Sequence, residues 1–403
     1  MRFEKTTNKK EIHLIELLLP FFHLFSQYQV WILSIGSIFL MLVAGLSLVM
    51  KSGKVRFLDS YRPYIAFLVY VVIRDIFRAV FGPDLFQTQM NRMIEYIVIY
   101  FLVFIICSQA LDENKLFKVW KIAGVIYTIG LLIHVVQIYI LGQRIAPISI
   151  IPGYALRPEG NITQIRPSSF FAEPASFVIA MLPLEFLSIK RKDYKWAVFT
   201  TISILLSAST VGIILSVILW ASSLLSKDTS AKRKLIIVLL AVAIVGVFMN
   251  MDVFDTSLSK FIQVASGEST FGSRVQNGFD VIRRQSFLSF VFGTNYNDVQ
   301  TFVSDNFTKF SSSPLLLTYW RNHRIFLNTF SRLIFQYGII GLLLFLFPLF
   351  TYMKSKSYVA KPMVIMVLVA IFGQTMLLNT YYFTMVMIFI LYDKHSKLET
   401  EGV

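Results

Sequence analysis

Residues 330–352 read FSRLIFQYGIIGLLLFLFPLFTY, an apolar run with a single charged side chain, Arg332. A helix needs about 20 apolar residues to cross the hydrocarbon core of a bilayer, so this run is long enough to span one. Similar runs occur at residues 31–50, 96–110 and 235–250. With 56% hydrophobic and 15% charged residues, the chain is more apolar than an ordinary soluble domain, and no alternating ten-residue pattern indicates a barrel. The sequence predicts an all-α integral membrane protein.

Clusters of lysine and arginine separate the apolar runs, as the positive-inside rule expects of cytoplasmic loops. Membrane topology therefore explains most of the net charge of +15, and we predict no nucleic-acid partner. If every cluster is cytoplasmic, each apolar block between two clusters crosses the bilayer an even number of times. Polar breaks then give about twelve transmembrane helices in one polytopic domain, residues 1–403, with both termini cytoplasmic. The breaks lie at residues 26–29, 82–92, 142–172, 207–210, 251–329 and around Asn379.

Two of these breaks are long outer loops, residues 142–172 and 251–329, and the second is long enough to contain short helices of its own. Arginine supplies twelve of the fourteen basic residues assigned to the outer side, but only five of the twenty-four assigned to the inner side. A guanidinium group binds phosphate with two parallel hydrogen bonds and stays charged when partly desolvated. We therefore predict an outward-facing site for a phosphorylated, membrane-borne ligand. The alternative is that topology merely excludes lysine from outer loops.

The first outer loop leads into residues 166–174, RPSSFFAEP, directly before an apolar run. Pro174 suits the first turn of a helix, which places Glu173 at the amino-terminal cap. Glu173 is predicted to act as a general base or to bind an acceptor sugar; alternatively, it satisfies the helix amides. Arg166 is predicted to contact an anion, with Arg157 as a further substrate contact. The alternative for Arg166 is a pairing with Glu173 or with lipid headgroups.

The second outer loop contains the sequence GSRVQ, in which Ser273 and Gln276 have the spacing of a capping box. This spacing would place Arg274 in the first turn of a helix, where free amides favour an anion. Arg274 is therefore predicted to bind phosphate groups, together with Arg283 and Arg284. The alternative is an amphipathic helix on the membrane surface, with these arginines on headgroups.

Near its end, the same loop reads WRNHRIFLN, residues 320–328. His323 is the only one of five histidines in a predicted outer loop, and an imidazole can accept a proton near neutral pH. It is a second candidate catalytic residue beside Glu173; a stacking or hydrogen-bonding role without proton transfer is the alternative. Arg324 and Asn328 are candidate substrate contacts.

Some polar residues lie within predicted spans rather than loops. Arg74, Asp75 and Arg78 form a membrane-edge cluster that is predicted to neutralise itself, because an unpaired charge is costly in lipid. His134 is predicted to be a packed or hydrogen-bonded core residue. The single cysteine, Cys107, is predicted to be a small buried hydrophobic side chain, so no thiol-based metal site is expected.

Motifs for several reaction classes are absent from the sequence. There is no GxxxxGK[ST] phosphate loop, no GxGxxG, HExxH or GxSxG, and no DxD acid pair of the kind that holds a metal-bound sugar nucleotide. We therefore predict no cofactor and no metal. A donor carried on a lipid phosphate, with arginines in place of a metal, fits this pattern better.

Several short motifs occur in an order that resembles the bacterial O-antigen and capsular polysaccharide polymerase family, which shares its architecture with the O-antigen ligases. They are RPSSFFAEP at residues 166–174, LSASTVG at 206–212, GSR at 272–274 followed by Gly293, and FQYGIIG at 335–341. The resemblance implies a membrane-embedded, GT-C-like glycosyltransferase that works without a metal. It would join oligosaccharide repeats linked to polyprenyl pyrophosphate at the outer face of the bacterial cytoplasmic membrane, and would release polyprenyl pyrophosphate.

The resemblance also implies roles for particular residues. Arg166 and Arg274 would stabilise the departing pyrophosphate, while His323 matches a late-loop histidine of the family and Glu173 remains the rival base. A chain-length regulator would be a further partner. A ligase of the same fold is an alternative function, and a flippase or exporter of lipid-linked oligosaccharide is the alternative from a different class.

Overall fold

The structure is a computed structural model that describes most of the chain. It describes residues 14–30, 33–50, 62–82, 86–108, 113–143, 146–152, 166–225, 270–296, 298–311, 314–321, 327–354 and 360–373, with the isolated positions 230–231, 234–235, 238 and 325. The predicted site residues Arg157, His323 and Arg324 lie outside the described residues, as does most of the predicted span at 235–250. The side chain of Arg274 also lies outside them.

The first half of the described chain is helical apart from one small hairpin, which lies beside the predicted break at residues 26–29. Its two strands pair antiparallel, with Gln29 opposite Ser34. The elements are α1 (Leu14–Leu18), a 3-10 turn (Leu19–Phe21), α2 (Phe22–Phe25), β1 (Gln29–Val30), β2 (Leu33–Ser34), α3 (Ile35–Met50), α4 (Arg62–Phe81), α5 (Phe86–Ser108), α6 (Glu113–Val135) and a π-helical turn (Val136–Ile140).

In the second half, the described regular structure is entirely helical. The elements are α7 (Pro174–Lys190), α8 (Tyr194–Leu206), α9 (Thr210–Leu225), α10 (Thr270–Arg283), α11 (Phe287–Phe292), α12 (Val299–Asp305), α13 (Phe307–Phe310), α14 (Pro314–Arg321), α15 (Thr329–Lys354) and α16 (Ala360–Gly373). The predicted helical class is confirmed for the described residues, and the breaks predicted near residues 82 and 207–210 lie between helices.

Two of the described helices are long and apolar enough to cross a membrane, namely Asn114–Ile140 and Thr329–Thr351. The first presents an uninterrupted apolar stripe to the outside of the molecule. The stripe extends over about 27 Å, close to the thickness of a bilayer core. Its exposed side chains are Ile122, Val125, Ile126, Ile129, Leu132, Ile133, Val136 and Ile140. An arrangement of about twelve crossings remains a prediction.

Helix α7 lies at the centre of the bundle. Every side chain from Phe177 to Ser188 is buried, and α6, α8 and α9 pack around it. A helix that is buried on all sides must meet apolar neighbours on every face, which fits its almost uniformly apolar sequence. Helices α10, α12, α13 and α14 contribute to a second, smaller core around Val281, Phe302 and Phe310. The described part of residues 251–329 therefore contains short helices.

Two basic clusters that were predicted to be cytoplasmic meet at one end of the bundle. The Lys121 ammonium lies 2.7 Å from the Asp193 carboxylate, and Arg191 donates to Asn114 Oδ1 at 2.8 Å. These contacts join the start of α6 to the turn between α7 and α8. The start of α7 and the turn between α8 and α9 therefore lie at the opposite end.

Candidate functional site

Residues 166–173, here called the Arg166 loop, are inserted into the helix bundle instead of lying on its surface. Ser168, Ser169 and Phe171 are completely buried. The Ser169 hydroxyl donates to the Tyr127 carbonyl oxygen of α6 at 2.7 Å. A Cβ atom added to Gly130 would lie 2.6 Å from the Ser169 hydroxyl oxygen, so the loop needs a glycine at this point of α6. The loop is thus held at a fixed depth against α6.

Residues of α2 and the following turn contact the Arg166 loop from the side opposite α6. Gln27 Oε1 accepts from the Ala172 amide at 2.7 Å, and Gln27 Nε2 lies 3.5 Å from the Phe170 carbonyl oxygen. The Phe171 ring stacks on the His23 ring at 5.7 Å and meets the Tyr127 ring edge-on at 5.1 Å. Backbone and side chain are therefore both fixed, which is the rigidity that a positioned binding loop needs.

His134 joins the loop to the carboxyl end of α6. Its side chain is buried, as predicted, and Nδ1 accepts from the Ser168 amide at 3.3 Å. His134 Nε2 and Ser168 Oγ are both buried without a hydrogen-bond partner among the described residues. A π-helical turn begins two residues further on, at Val136. Such turns inside α-helices occur often at functional sites.

Arg166 links two motifs that are 42 residues apart. Its guanidinium is half-buried and donates from Nη1 to the Ala208 carbonyl oxygen at 3.3 Å. Ala208 lies in the turn between α8 and α9 and has a left-handed backbone, with φ of 50°. The tertiary structure therefore brings together the RPSSFFAEP and LSASTVG motifs. It places a cation at the end of the bundle opposite Lys121 and Asp193.

Glu173 occupies the predicted cap position at the start of α7, with Pro174 in the first turn. The predicted local geometry is thus confirmed. Its backbone is extended, and its side chain makes no capping hydrogen bond to the helix. The side chain is exposed. The alternative role of satisfying the helix amides is not the one that the carboxylate performs here.

The predicted first-turn position of Arg274 is wrong. Helix α10 begins at Thr270, so Ser273 lies within the first turn and Arg274 follows it. The amides that lack a partner inside a helix belong to its first four positions. Arg274 therefore does not lie at the group of amides that would favour an anion, and helix geometry does not support its predicted pyrophosphate role.

The other two predicted phosphate-binding arginines, Arg283 and Arg284, differ in their environment. Arg284, just beyond the helix, lies 3.2 Å from the Asp280 carboxylate and donates from Nε to the Lys309 carbonyl oxygen at 2.7 Å. Its guanidinium also lies 5.4 Å from the centre of the Phe310 ring. Arg284 thus holds α13 against α10. Arg283, by contrast, is exposed.

Asn328 caps α15 from a buried position. Its Oδ1 accepts from the Ser331 amide at 2.8 Å and from the Ser331 hydroxyl at 2.7 Å. The side-chain amide nitrogen is buried without a partner among the described residues. The predicted substrate contact is therefore a helix cap in this structure, and only its nitrogen is left to bind another group.

Comparison of the chain with protein-family models, with curated proteins and with solved structures found no match. The candidate site is therefore defined by its geometry and not by similarity to a known protein. That geometry unites the Arg166 loop, His134 and the turn at Ala208, whereas Arg284 and Asn328 have structural partners of their own.

One buried carboxylate was not predicted from the sequence. Glu185, in the centre of α7, accepts from Thr201 Oγ1 at 2.6 Å and from Ser216 Oγ at 2.9 Å. Trp220 Nε1 in turn donates to Thr201 Oγ1 at 2.8 Å. This network ties α7 to α8 and α9. A lone glutamate in an apolar run could have indicated this network, because ionisable residues in membrane helices usually have a dedicated partner.

Replacing His134 with alanine is expected to loosen the Arg166 loop. The variant removes the acceptor of the Ser168 amide, and a buried amide without a partner costs about 1–3 kcal/mol. Hydrogen exchange at the loop amides should accelerate roughly tenfold or more. His134→Asn, which retains an acceptor near the position of Nδ1, should restore most of the protection. Unchanged exchange in the alanine variant would show that this contact does not hold the loop.

Proposed function

We propose that this protein is a polysaccharide polymerase of the bacterial cytoplasmic membrane, with many crossings and both termini in the cytoplasm. It would join oligosaccharide repeats carried on polyprenyl pyrophosphate at the outer face. The observation that carries the proposal is the buried anchoring of the Arg166 loop, which holds a half-buried guanidinium at the end of the bundle that the proposal assigns to the outer face. The exposed Glu173 carboxylate begins α7 at the same end.

In the proposed reaction, a hydroxyl of the acceptor repeat attacks the anomeric carbon of the donor chain. The bond between that carbon and the pyrophosphate oxygen breaks, and polyprenyl pyrophosphate leaves with the electron pair. Arg166, with Arg274 and Arg283 as further candidates, stabilises the developing negative charge without a metal. Glu173 or His323 takes the proton of the attacking hydroxyl. Arg157 and Arg324 contact the oligosaccharide, and a chain-length regulator is a proposed partner.

The apolar stripe of α6 supports the placement of this site at a membrane. A stripe about 27 Å long would cost a soluble protein a large unfavourable hydration term, whereas it matches the hydrocarbon core of a bilayer. The substrates of the proposed reaction are themselves anchored in that bilayer. An enzyme with its cationic loop at the outer end of such helices would meet their pyrophosphate groups directly.

Mass analysis of lipid-linked oligosaccharides, resolved by membrane leaflet, tests the proposal in cells that lack this gene. Single repeats on the outer leaflet and loss of polymer are the expected result. Accumulation of long lipid-linked polymer would instead indicate a ligase, and repeats trapped on the inner leaflet would indicate a flippase. Either of those results would overturn the polymerase proposal.

Arg166→Ala is expected to lower polymer formation by about 100-fold or more, the range seen when one preorganised charge-stabilising donor is removed. Arg166→Lys should recover only part of the activity, because lysine keeps the charge and loses the two-pronged hydrogen bond. Polymer length and yield, measured at matched protein levels in the membrane, provide the readout. Arg62→Ala, which removes an exposed arginine at the amino-terminal end of α4, is the control. Wild-type activity in both Arg166→Ala and Arg274→Ala would overturn the proposal that these arginines bind the pyrophosphate.

A further inference from the structure

One face of α6 changes from cationic to apolar at a single level along the helix. The exposed positions of α6 and its π-helical turn recur at intervals of three or four residues, so they lie on one face. Lys115 and Lys118 occupy the first two turns of this face, and Ile122 is its next exposed residue. From Ile122 to Ile140 every exposed side chain is apolar, over about 27 Å. The face therefore has the order of a headgroup layer followed by hydrocarbon.

The turn between α7 and α8 adds further cations at the same end of the bundle. Lys192 and Lys195 are exposed there. An ion pair of 2.7 Å and a hydrogen bond of 2.8 Å hold this turn against the start of α6. Residues 112–121 and 190–195 together contain seven basic and three acidic residues. Two segments that lie about 70 residues apart thus form one surface with an excess of positive charge.

Aromatic side chains lie at the level where the charge ends. The half-buried Trp196 ring of α8 lies 5.0 Å from the Lys121 ammonium, and Tyr194 stacks on Trp220 of α9 at 6.3 Å. Tryptophan and tyrosine are enriched where headgroups meet hydrocarbon, because their rings are apolar and their tips are polar. Helices α8 and α9 therefore indicate the same boundary as the exposed face of α6.

We propose that Lys118, Lys192 and Lys195 bind the phosphate groups of anionic phospholipids. An anionic phospholipid covers both parts of the α6 face, since its phosphate meets the lysines and its acyl chains meet the apolar stripe. A soluble acidic protein would contact the lysines alone. A second copy in the same orientation, packed on this face about a twofold axis, would bring lysine against lysine.

The leaflet concerned is the one at the Lys121 end of the bundle, which the proposed function assigns to the cytoplasmic side. The lipid site thus rests on the membrane placement of the proposed function, but it does not depend on the reaction that the protein catalyses. It also lies at the opposite end of the bundle from the Arg166 loop.

Native mass spectrometry of the full-length protein, purified in detergent, tests the lipid site. Phosphatidylglycerol and phosphatidylcholine with identical acyl chains are added in separate titrations. The wild-type protein should bind phosphatidylglycerol about tenfold or more tightly, because each lysine near an anionic headgroup contributes about fivefold. The triple variant Lys118→Gln, Lys192→Gln and Lys195→Gln should lose most of this preference. The corresponding triple arginine variant is the matched control and should retain it, because arginine keeps the charge.

Four outcomes would overturn the proposal. Equal affinity of the wild-type protein for the two lipids would show that it does not select an anionic headgroup. A preference that persists in the glutamine variant would place the lipid elsewhere, and its loss in the arginine variant would show that charge does not govern binding. Full competition by glycerophosphoglycerol, which lacks acyl chains, would indicate a site for soluble anions. None of these readings depends on polymer formation, so a failure of the proposed reaction is distinguishable from a failure of the lipid site.

Discussion

Replacing Arg78 with alanine is expected to lower the free energy of unfolding by roughly 3–5 kcal/mol, the range found when one partner of a buried ion pair is removed. Arg78 and Asp75 are each 1% exposed and form a salt bridge one helical turn apart. In the variant, the Asp75 carboxylate would remain buried and would lose its direct salt bridge. The nearby Tyr337 hydroxyl, at 3.4 Å, is neutral and cannot replace it.

The variant also removes a second contact of the guanidinium. Arg78 lies 4.6 Å from the centre of the Tyr337 ring, a geometry that stabilises a desolvated cation. Tyr337 directly precedes the break in α15, so the loss should spread to that helix. Thermal unfolding of the detergent-purified protein measures the effect.

A half-exposed ion pair of the same chain is the matched control. Lys121 and Asp193 lie 2.7 Å apart with side chains 24% and 31% exposed. Lys121→Ala should cost at most about 1 kcal/mol, because water replaces the lost partner. The double variant Asp75→Ala and Arg78→Ala should be more stable than Arg78→Ala alone. If Arg78→Ala lowers the free energy of unfolding no more than Lys121→Ala does, Asp75 is not buried in its ionised form.

Gly338→Ala is expected to destabilise the protein by about 3 kcal/mol or more, since two penalties act at one position. Helix α15 is interrupted at Gly338, where φ is 67° and ψ is −174°, a conformation that is essentially restricted to glycine. A Cβ atom there would lie 2.1 Å from the Val291 carbonyl oxygen of α11. Backbone cannot move aside as a flexible side chain can, so α11 would separate from α15.

Separation of α11 gives this variant a local signature as well as a global one. Hydrogen exchange should accelerate at the Thr294 amide, which is bonded to Phe335 across the same contact. Gly45→Ala in α3 is the control, because a Cβ atom added there meets nothing within 4 Å. That substitution should be neutral or should stabilise its helix by up to about 1 kcal/mol. Equal stability of the two variants would mean that α15 does not require its break.

Local patterns were sufficient for much of the architecture. The polar breaks near residues 26–29, 82 and 207–210 were predicted correctly because a helix must end where apolar periodicity stops. The pairing of Asp75 with Arg78 was predicted correctly because i,i+3 neighbours share a helix face. The predicted start of α10 was wrong, because the spacing of Ser273 and Gln276 also occurs inside helices.

The candidate site depended on contacts that no local pattern contains. Arg166 meets Ala208, Ser168 meets His134 and Gln27 meets Ala172 across wide gaps in the sequence. The sequence nominated Arg166 and Glu173 by charge and position. It gave no sign that the loop between them is buried, because Ser168 and Ser169 are residues that usually indicate exposed turns.

By itself, the sequence determined the helical class, the chain reversals near residues 26–29, 82 and 207–210, and the cationic composition of the predicted outer side. These properties follow from run length, charge and neighbours within one turn of helix. Tertiary structure alone decided the depth of the Arg166 loop, the network around Glu185 and the break at Gly338. Each of these depends on which distant backbone or side chain fills the adjoining space, and packing of that kind is fixed only when all the helices are in place.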